Sequence, residues 1–205
     1  MTAPRTRARN KRGEGAQLRD EIIDAAMTLL EDGSPQHVTL RGVARQAGIS
    51  APSIYPHFPD LDSILLAVAQ RAFGSLEQEL SAPDDADPVE RLRAVCAAYL
   101  TFAERRPHHY RVMFGAVWDA GQALERAPAM ADEFAVLGMG AFEIFRRTLA
   151  DCVAAGRSVS VDPFGDATAL WVGLHGFAQL QVAAPLFPWP PELRDSVIDR
   201  MALLR

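Results

Sequence analysis

The chain has 205 residues, 49% hydrophobic and 23% charged, enough for a sizeable core in one or two domains. Its net charge of −5 argues against a uniformly basic nucleic-acid binder, but residues 1–58 hold eight Lys or Arg against six acids and the remainder thirteen against twenty. A head of +2 on a body of −7 suits a protein that presents one end to DNA. No apolar run reaches the length of a membrane span and the N-terminus lacks an apolar signal core, so a cytoplasmic protein with no membrane partner is expected.

Residues 1–15 alternate Arg with small residues and include Gly13 and Gly15, the composition of a flexible basic arm. A first helix is expected over 16–32, with Leu18, Ile22, Ala25, Ala26, Leu29 and Leu30 as its apolar stripe and Gly33 as its stop. The stretch Thr39 to Phe58, TLRGVARQAGISAPSIYPHF, then has the pattern of a helix-turn-helix. Leu40, Val43, Ala44 and Ala47 form one face of a helix that Thr39 can cap. Gly48 follows where a helix ends in a left-handed residue. Ile49 fills the corner, Ser50 is expected to cap a second helix, and Pro52 sits in its first turn. Ile54 and Phe58 would face the first helix. Ala51, Pro52, Ser53, Tyr55 and His57 would then point outward.

That outward set gives the motif its chemistry. A braced second helix offers its N-terminal residues to base edges in the major groove. Small Ala51, Pro52 and Ser53 permit close approach with methyl and hydroxyl groups, while Tyr55 and His57 suit phosphates. The plainer alternative is a helical hairpin in a core, but six or more positions agree with the DNA-reading template. An arm that directly precedes such a unit suits phosphates or a minor groove, the alternative being an inert solvated tail.

Residues 16–76 resemble the N-terminal domain of the TetR family of transcriptional regulators, through T-L-R-x-V-A-x-x-A-G-I-S-x-x-x-I-Y-x-H-F. The resemblance implies that Thr39, Arg41, Pro52, Ser53, Tyr55 and His57 touch operator DNA, Arg41 and the start of the second helix reading bases, Tyr55 and His57 meeting the backbone. Two departures stand out. Leu61 replaces the family's usual phosphate-facing lysine, and Pro56 should shorten or distort the last turn of the reading helix.

A linking helix is expected over 61–80, and the Pro- and Asp-rich stretch 81–88 is the clearest break, separating a reading domain (16–76) from a body (77–205). The body reads as helices over 87–106, a short one from Pro107, a long one over 129–155 ended by Gly156, another over 163–184 and a last over 192–204. No strand text appears, so the expected fold class is all-α: a three-helix helix-turn-helix domain followed by a helical bundle. The run Trp171-x-x-x-His175-Gly176, with Arg111 to Phe114 upstream, is similar to a C-terminal domain of a TetR subgroup. That similarity implies a homodimer formed largely by the last two helices, with a ligand cavity among the preceding ones.

Trp171, His175 and Gln179 lie four apart, hence on one helical stripe. They read as the polar-tipped wall of an apolar pocket or as ordinary core. Phe102, Tyr110, Met113, Phe114, Trp118 and Phe142 are further candidates to line a cavity, with core packing the competing reading for each. Gly173 and Gly176 weaken their helix, which implies close approach by a ligand or another helix. Cys96 and Cys152 read as buried small residues in a reducing compartment, with redox sensing the alternative. No metal spacing, cofactor loop or nucleophile–base set occurs in the text, so an enzyme is not expected.

The expectation is a homodimeric repressor that binds a palindromic duplex operator and is released by a small apolar or aromatic effector of unknown identity. Two alternatives stay open: an activator or sequence-tolerant DNA packager, and a helical ligand-binding protein with a vestigial reading head.

Overall fold

A computed structural model of the protein describes residues 15–32, 38–80, 87–114 and 119–205. The expected arm over 1–15 lies outside them save for Gly15, as does Trp118. Helices dominate: α1 (Gly15–Glu31), α2 (Leu40–Gln46), α3 (Leu61–Glu79), α4 (Pro88–Arg105), α5 (Pro107–Met113), α6 (Ala120–Arg126), α7 (Ala131–Ala135), α8 (Met139–Ala154), α9 (Pro163–Ala183) and α10 (Leu193–Met201). Among the described residues no strand forms, and one isolated bridge joins Ser158 to Leu204. The chain divides into two compact units, one comprising residues up to Ala72 with His108–Phe134, the other Phe73–Pro107 with Ala135–Arg205.

In the first unit the local signals act as their chemistry requires. Thr39 Oγ1 accepts the Gly42 N–H at 3.0 Å and so caps α2. At the other end Gly48 has φ +68, its N–H bonds Arg45 O at 3.2 Å, and Ile49 N–H bonds Ala44 O at 2.9 Å. Those two bonds satisfy carbonyls that a helix end otherwise leaves open, and they turn the chain sharply. Ile22, Val43, Ile54 and Ile64 are fully buried together with Phe58 at 2% exposure, so α1, α2 and the first half of α3 share one core. Arg71 on α3 pairs with Asp20 at 2.7 Å and with Asp24, pinning α3 to α1.

In the second unit, α8 packs on α9 and on α4, and α9 packs on α10 and α4. Asp87 caps α4 by accepting the Val89 and Glu90 N–H groups. The buried stripe of α4 runs Val89, Leu92, Val95, Cys96, Tyr99, Leu100 and Phe102, and Ala103 beside it is half-buried.

The single long helix expected over 129–155 is interrupted. A 3-10 turn (Pro128–Met130) and α7 end before Gly138, which has φ +78, and α8 starts afresh at Met139. Gly138 itself marks the break: at φ +78 it cannot continue a helix, and a β-carbon there would stand 2.7 Å from Phe73 Cε1, so only glycine fits where the chain turns. Gly156 does end α8, with φ +69.

Candidate nucleic-acid interface

The reading segment is organised by its two buried residues. Ile54 and Phe58 are 0% and 2% exposed, anchored against the core, which leaves the other side of the same segment facing out. Tyr55 is 57% exposed; Thr39, Arg41 and Pro52 are exposed, and Ala51, Ser53 and His57 are half-buried. All seven sequence-predicted residues therefore keep access to solvent in this unit.

The local backbone differs from the expected second helix. Ala51–Ser53 forms a 3-10 turn with Ile54 N–H bonding Ala51 O at 3.1 Å, followed by turns in which Phe58 N–H bonds Ile54 O at 3.0 Å. Pro56 accounts for this: it has no N–H to give an α-helical bond, and its ring disfavours helical conformation at Tyr55. Ser50 does not cap with its side chain, contrary to expectation. Pro52 has removed one candidate N–H, and the Ser53 N–H is taken by the Ser50 carbonyl at 2.9 Å. The Ser50 hydroxyl instead lies 2.7 Å from the Ser53 hydroxyl, holding the two side chains together at the outer surface.

Cations surround this segment. Arg41 and Arg45 project from α2, which carries no acid. Arg19 on α1, which the sequence reading missed, sets its guanidinium 4.9 Å from the Phe58 ring centroid. Its signal was masked in the text by Asp20, Glu21 and Asp24; in the structure Asp20 and Asp24 both pair with Arg71. A β-carbon at Gly15 would lie 3.8 Å from His57 Cε1, so the start of α1 stands beside the end of the reading segment. At Leu61, where a lysine was the family expectation, Asp60 caps α3 by accepting the Ser63 N–H at 2.8 Å. The arrangement offers guanidinium groups and hydroxyls to phosphates and base edges.

The family model described as "Tetracyclin repressor-like, C-terminal domain" matches residues 92–203, more than half of the chain. The chain belongs to the TetR family. A second model, "Bacterial regulatory proteins, tetR family", matches residues 22–68, the stretch that carries the reading segment. Membership of this family of bacterial regulatory proteins agrees with the expectation of a regulatory rather than an enzymatic chain.

Similarity to the "Nucleoid occlusion factor SlmA" of Photobacterium profundum is 34% over 101 residues, covering 47% of this chain and 51% of that protein. For SlmA of Edwardsiella ictaluri it is 34% over 103 residues, covering 47% and 50%. The chain thus spans about half the length of the curated relatives it matches. Among solved structures, a Rhodococcus sp. RHA1 protein of unknown function superposes with TM-score 0.74 at 23% identity, over 98% of this chain and 100% of that one. The fatty acid degradation regulator FadR from Bacillus halodurans gives 0.66 at 14% identity, over 95% and 97%. At these identities the superpositions speak for the fold. No helix among the described residues is long and apolar enough to cross a membrane.

The sequence-predicted ligand residues divide between the units. Tyr110, Met113 and Phe114 belong to the first, where Tyr110 and Phe114 rings stand 4.8 Å apart and Tyr110 and Met113 are buried. Phe102, Phe142, Trp171, His175 and Gln179 belong to the second. Phe102 is fully buried, Phe142 stacks edge-on with Trp171 at 6.4 Å, and Gln179 is exposed. The Tyr99 hydroxyl lies 3.4 Å from His175 Nδ1, and burial holds the His175 imidazole below its ordinary pKa.

Helix α9 is apolar on nearly every side, yet it buries only Ala167, Leu170, Leu174 and Ala178. Phe164, Val172, Leu180 and Val182 remain exposed on it. Gly173 is close to α10, its β-carbon position 3.3 Å from Val197, whereas Gly176 meets nothing within 4 Å.

Proposed function

We propose that the protein is a homodimeric repressor that grips a palindromic operator through its 39–58 segments and is released by a small apolar or aromatic effector. The observation that carries this reading is the pairing of an outward-facing, cation-flanked segment with a rigid buried anchor at Ile54 and Phe58. Arg41 with Ala51, Pro52 and Ser53 reads bases, Thr39, Tyr55 and His57 meet the backbone, and the arm over 1–15 follows phosphate or a minor groove. Function thereby divides at about residue 76, with reading before it and ligand and dimer contacts after it, all in the cytoplasm where the DNA is.

The exposed apolar residues of α9 supply the dimer reading. A monomer rarely leaves a large contiguous apolar patch in water, and Val182 is 78% exposed. A second copy laid on Val172, Gly176, Leu180 and Val182 would cover them, with Gly176 allowing close backbone approach. Val182→Asp is expected to yield monomers in sedimentation velocity at concentrations where the parent protein is dimeric.

In the DNA-competent state the two reading segments would sit about 34–36 Å apart, one turn of duplex. An effector bound after residue 76 favours another spacing, transmitted through α3, which contributes residues to both units. It acts only insofar as it binds the two states with different affinity. Selection from a random duplex pool tests the core of the reading. An inverted repeat with half-site centres about 10–10.5 bp apart is expected; enriched DNA without a repeat would overturn it.

A further inference from the structure

The second unit contains an open cleft of about 370 Å³ between α4, α9 and the Pro-rich stretch leading into α10. Its volume falls in the range of small-molecule sites, about 300–1,000 Å³. None of the residues singled out in the sequence lines it.

One wall is aromatic and fixed. Trp189 donates its Nε1–H to Ala184 O at 3.1 Å, and its ring stands 4.4 Å from Phe187 and 6.4 Å from Phe177. Pro190 and Pro191 follow directly and stiffen the backbone that carries the indole. The other walls are polar: Thr101 and Glu104 from α4, Gln181 from α9, Arg194 from α10.

The pairing pattern of these groups is the informative feature. Elsewhere in this unit opposite charges find each other, as in Arg91–Asp151 at 3.1 Å, Arg93–Asp199 at 2.7 Å and Arg157–Asp87 at 3.0 Å. Glu104 and Arg194 line one cleft without joining. Among the described residues Thr101, Glu104 and Gln181 make no side-chain hydrogen bond or ion pair, and Arg194 engages only its neighbour Asp195, through Nε at 3.1 Å. The cleft therefore holds a free carboxylate, guanidinium nitrogens with donors to spare, and a fixed indole face.

We propose that this cleft binds a small zwitterion with an aromatic body, of the chemistry of an aromatic amino acid. Its ammonium group meets Glu104, its carboxylate meets Arg194, and its ring lies against Trp189 and Phe177. A ligand with both charges satisfies both residues, whereas one with a single charge leaves the other residue unanswered. The site rests on the ligand-responsive reading only for its consequence on DNA.

The test is calorimetric titration of the full-length protein, without DNA, with L-phenylalanine, phenethylamine and phenylacetate as probes. Phenylalanine is expected to bind saturably and about tenfold or more tighter than either singly charged probe. Glu104→Gln should reduce phenylalanine to the affinity of phenylacetate, and Arg194→Gln to that of phenethylamine. Both side chains are exposed, so neither change removes core packing. Absence of saturable phenylalanine binding, or unchanged affinity in both variants, overturns the site and leaves the DNA reading intact. Saturable, charge-dependent binding supports it, and an operator affinity that then stays constant would count against effector release rather than against the site.

Discussion

Gly138→Ala is the sharpest structural perturbation available, because two separable costs meet at one residue. The first is backbone: at φ +78 a β-carbon is strained, at about 1–2 kcal/mol. The second is contact, since the added carbon would stand 2.7, 3.0 and 3.1 Å from three atoms of the Phe73 ring. A ring cannot yield as a flexible chain end does, and overpacking of this kind costs about 1–3 kcal/mol. Gly156→Ala isolates the first cost in the same unit, for φ there is +69 and nothing lies within 4 Å. Gly138→Ala should therefore be the less stable variant by about 1–3 kcal/mol, a melting difference of about 2–4 °C per kcal/mol for a chain of this size. Thermal unfolding followed by circular dichroism measures both, and the double variant Gly138→Ala with Phe73→Leu should recover part of the loss. Equal destabilisation at 138 and 156, or no recovery with Leu at 73, would refute the claim that the Phe73 ring requires glycine at the break before α8.

Three further outcomes are expected. Arg41→Ala should weaken operator binding by about 1–3 kcal/mol and relax preference at the base it reads, measured by titration against a panel of single-base operator variants; uniform weakening across the panel would reassign Arg41 to phosphate. His175 has a folded pKa below its ordinary 6.5, so its neutral form favours folding; stability is full above about 6.5 and falls as pH drops through that value towards the depressed pKa. Urea unfolding across that range should show the slope in the parent protein and a shallower one in His175→Gln. Burial, aided by Asp151 and Asp87, pushes the Cys152 thiol up to about 11, and burial raises Cys96 too. A chromogenic disulfide reagent near pH 8 should therefore label neither until denaturant is added, because the thiolate is the reactive form.

What the sequence revealed was what is decided locally. Thr39, Gly48 and Gly156 act through neighbours a few residues away, so their roles could be read from text. The Pro56 distortion was legible for the same reason, since the missing N–H belongs to the residue itself. The need for glycine at 138 was not, because the ring that excludes a β-carbon there belongs to α3, far back in the chain. Arg19 escaped notice because its relation to Phe58 exists only once α1 is folded against the reading segment. The cleft at Trp189 gathers residues from α4, α9 and α10, and no stretch of sequence holds them together. Gly173 and Gly176 looked alike in the text, yet one faces α10 and the other opens outward.

The most direct test of the account is binding of the purified protein to the DNA immediately upstream of its own gene, with excess random competitor across a salt series. The account predicts a saturable complex with two protomers per site that survives competitor and weakens steeply with salt, as phosphate contacts by Arg and Lys require. Binding that competitor removes entirely, at every salt concentration, would contradict it.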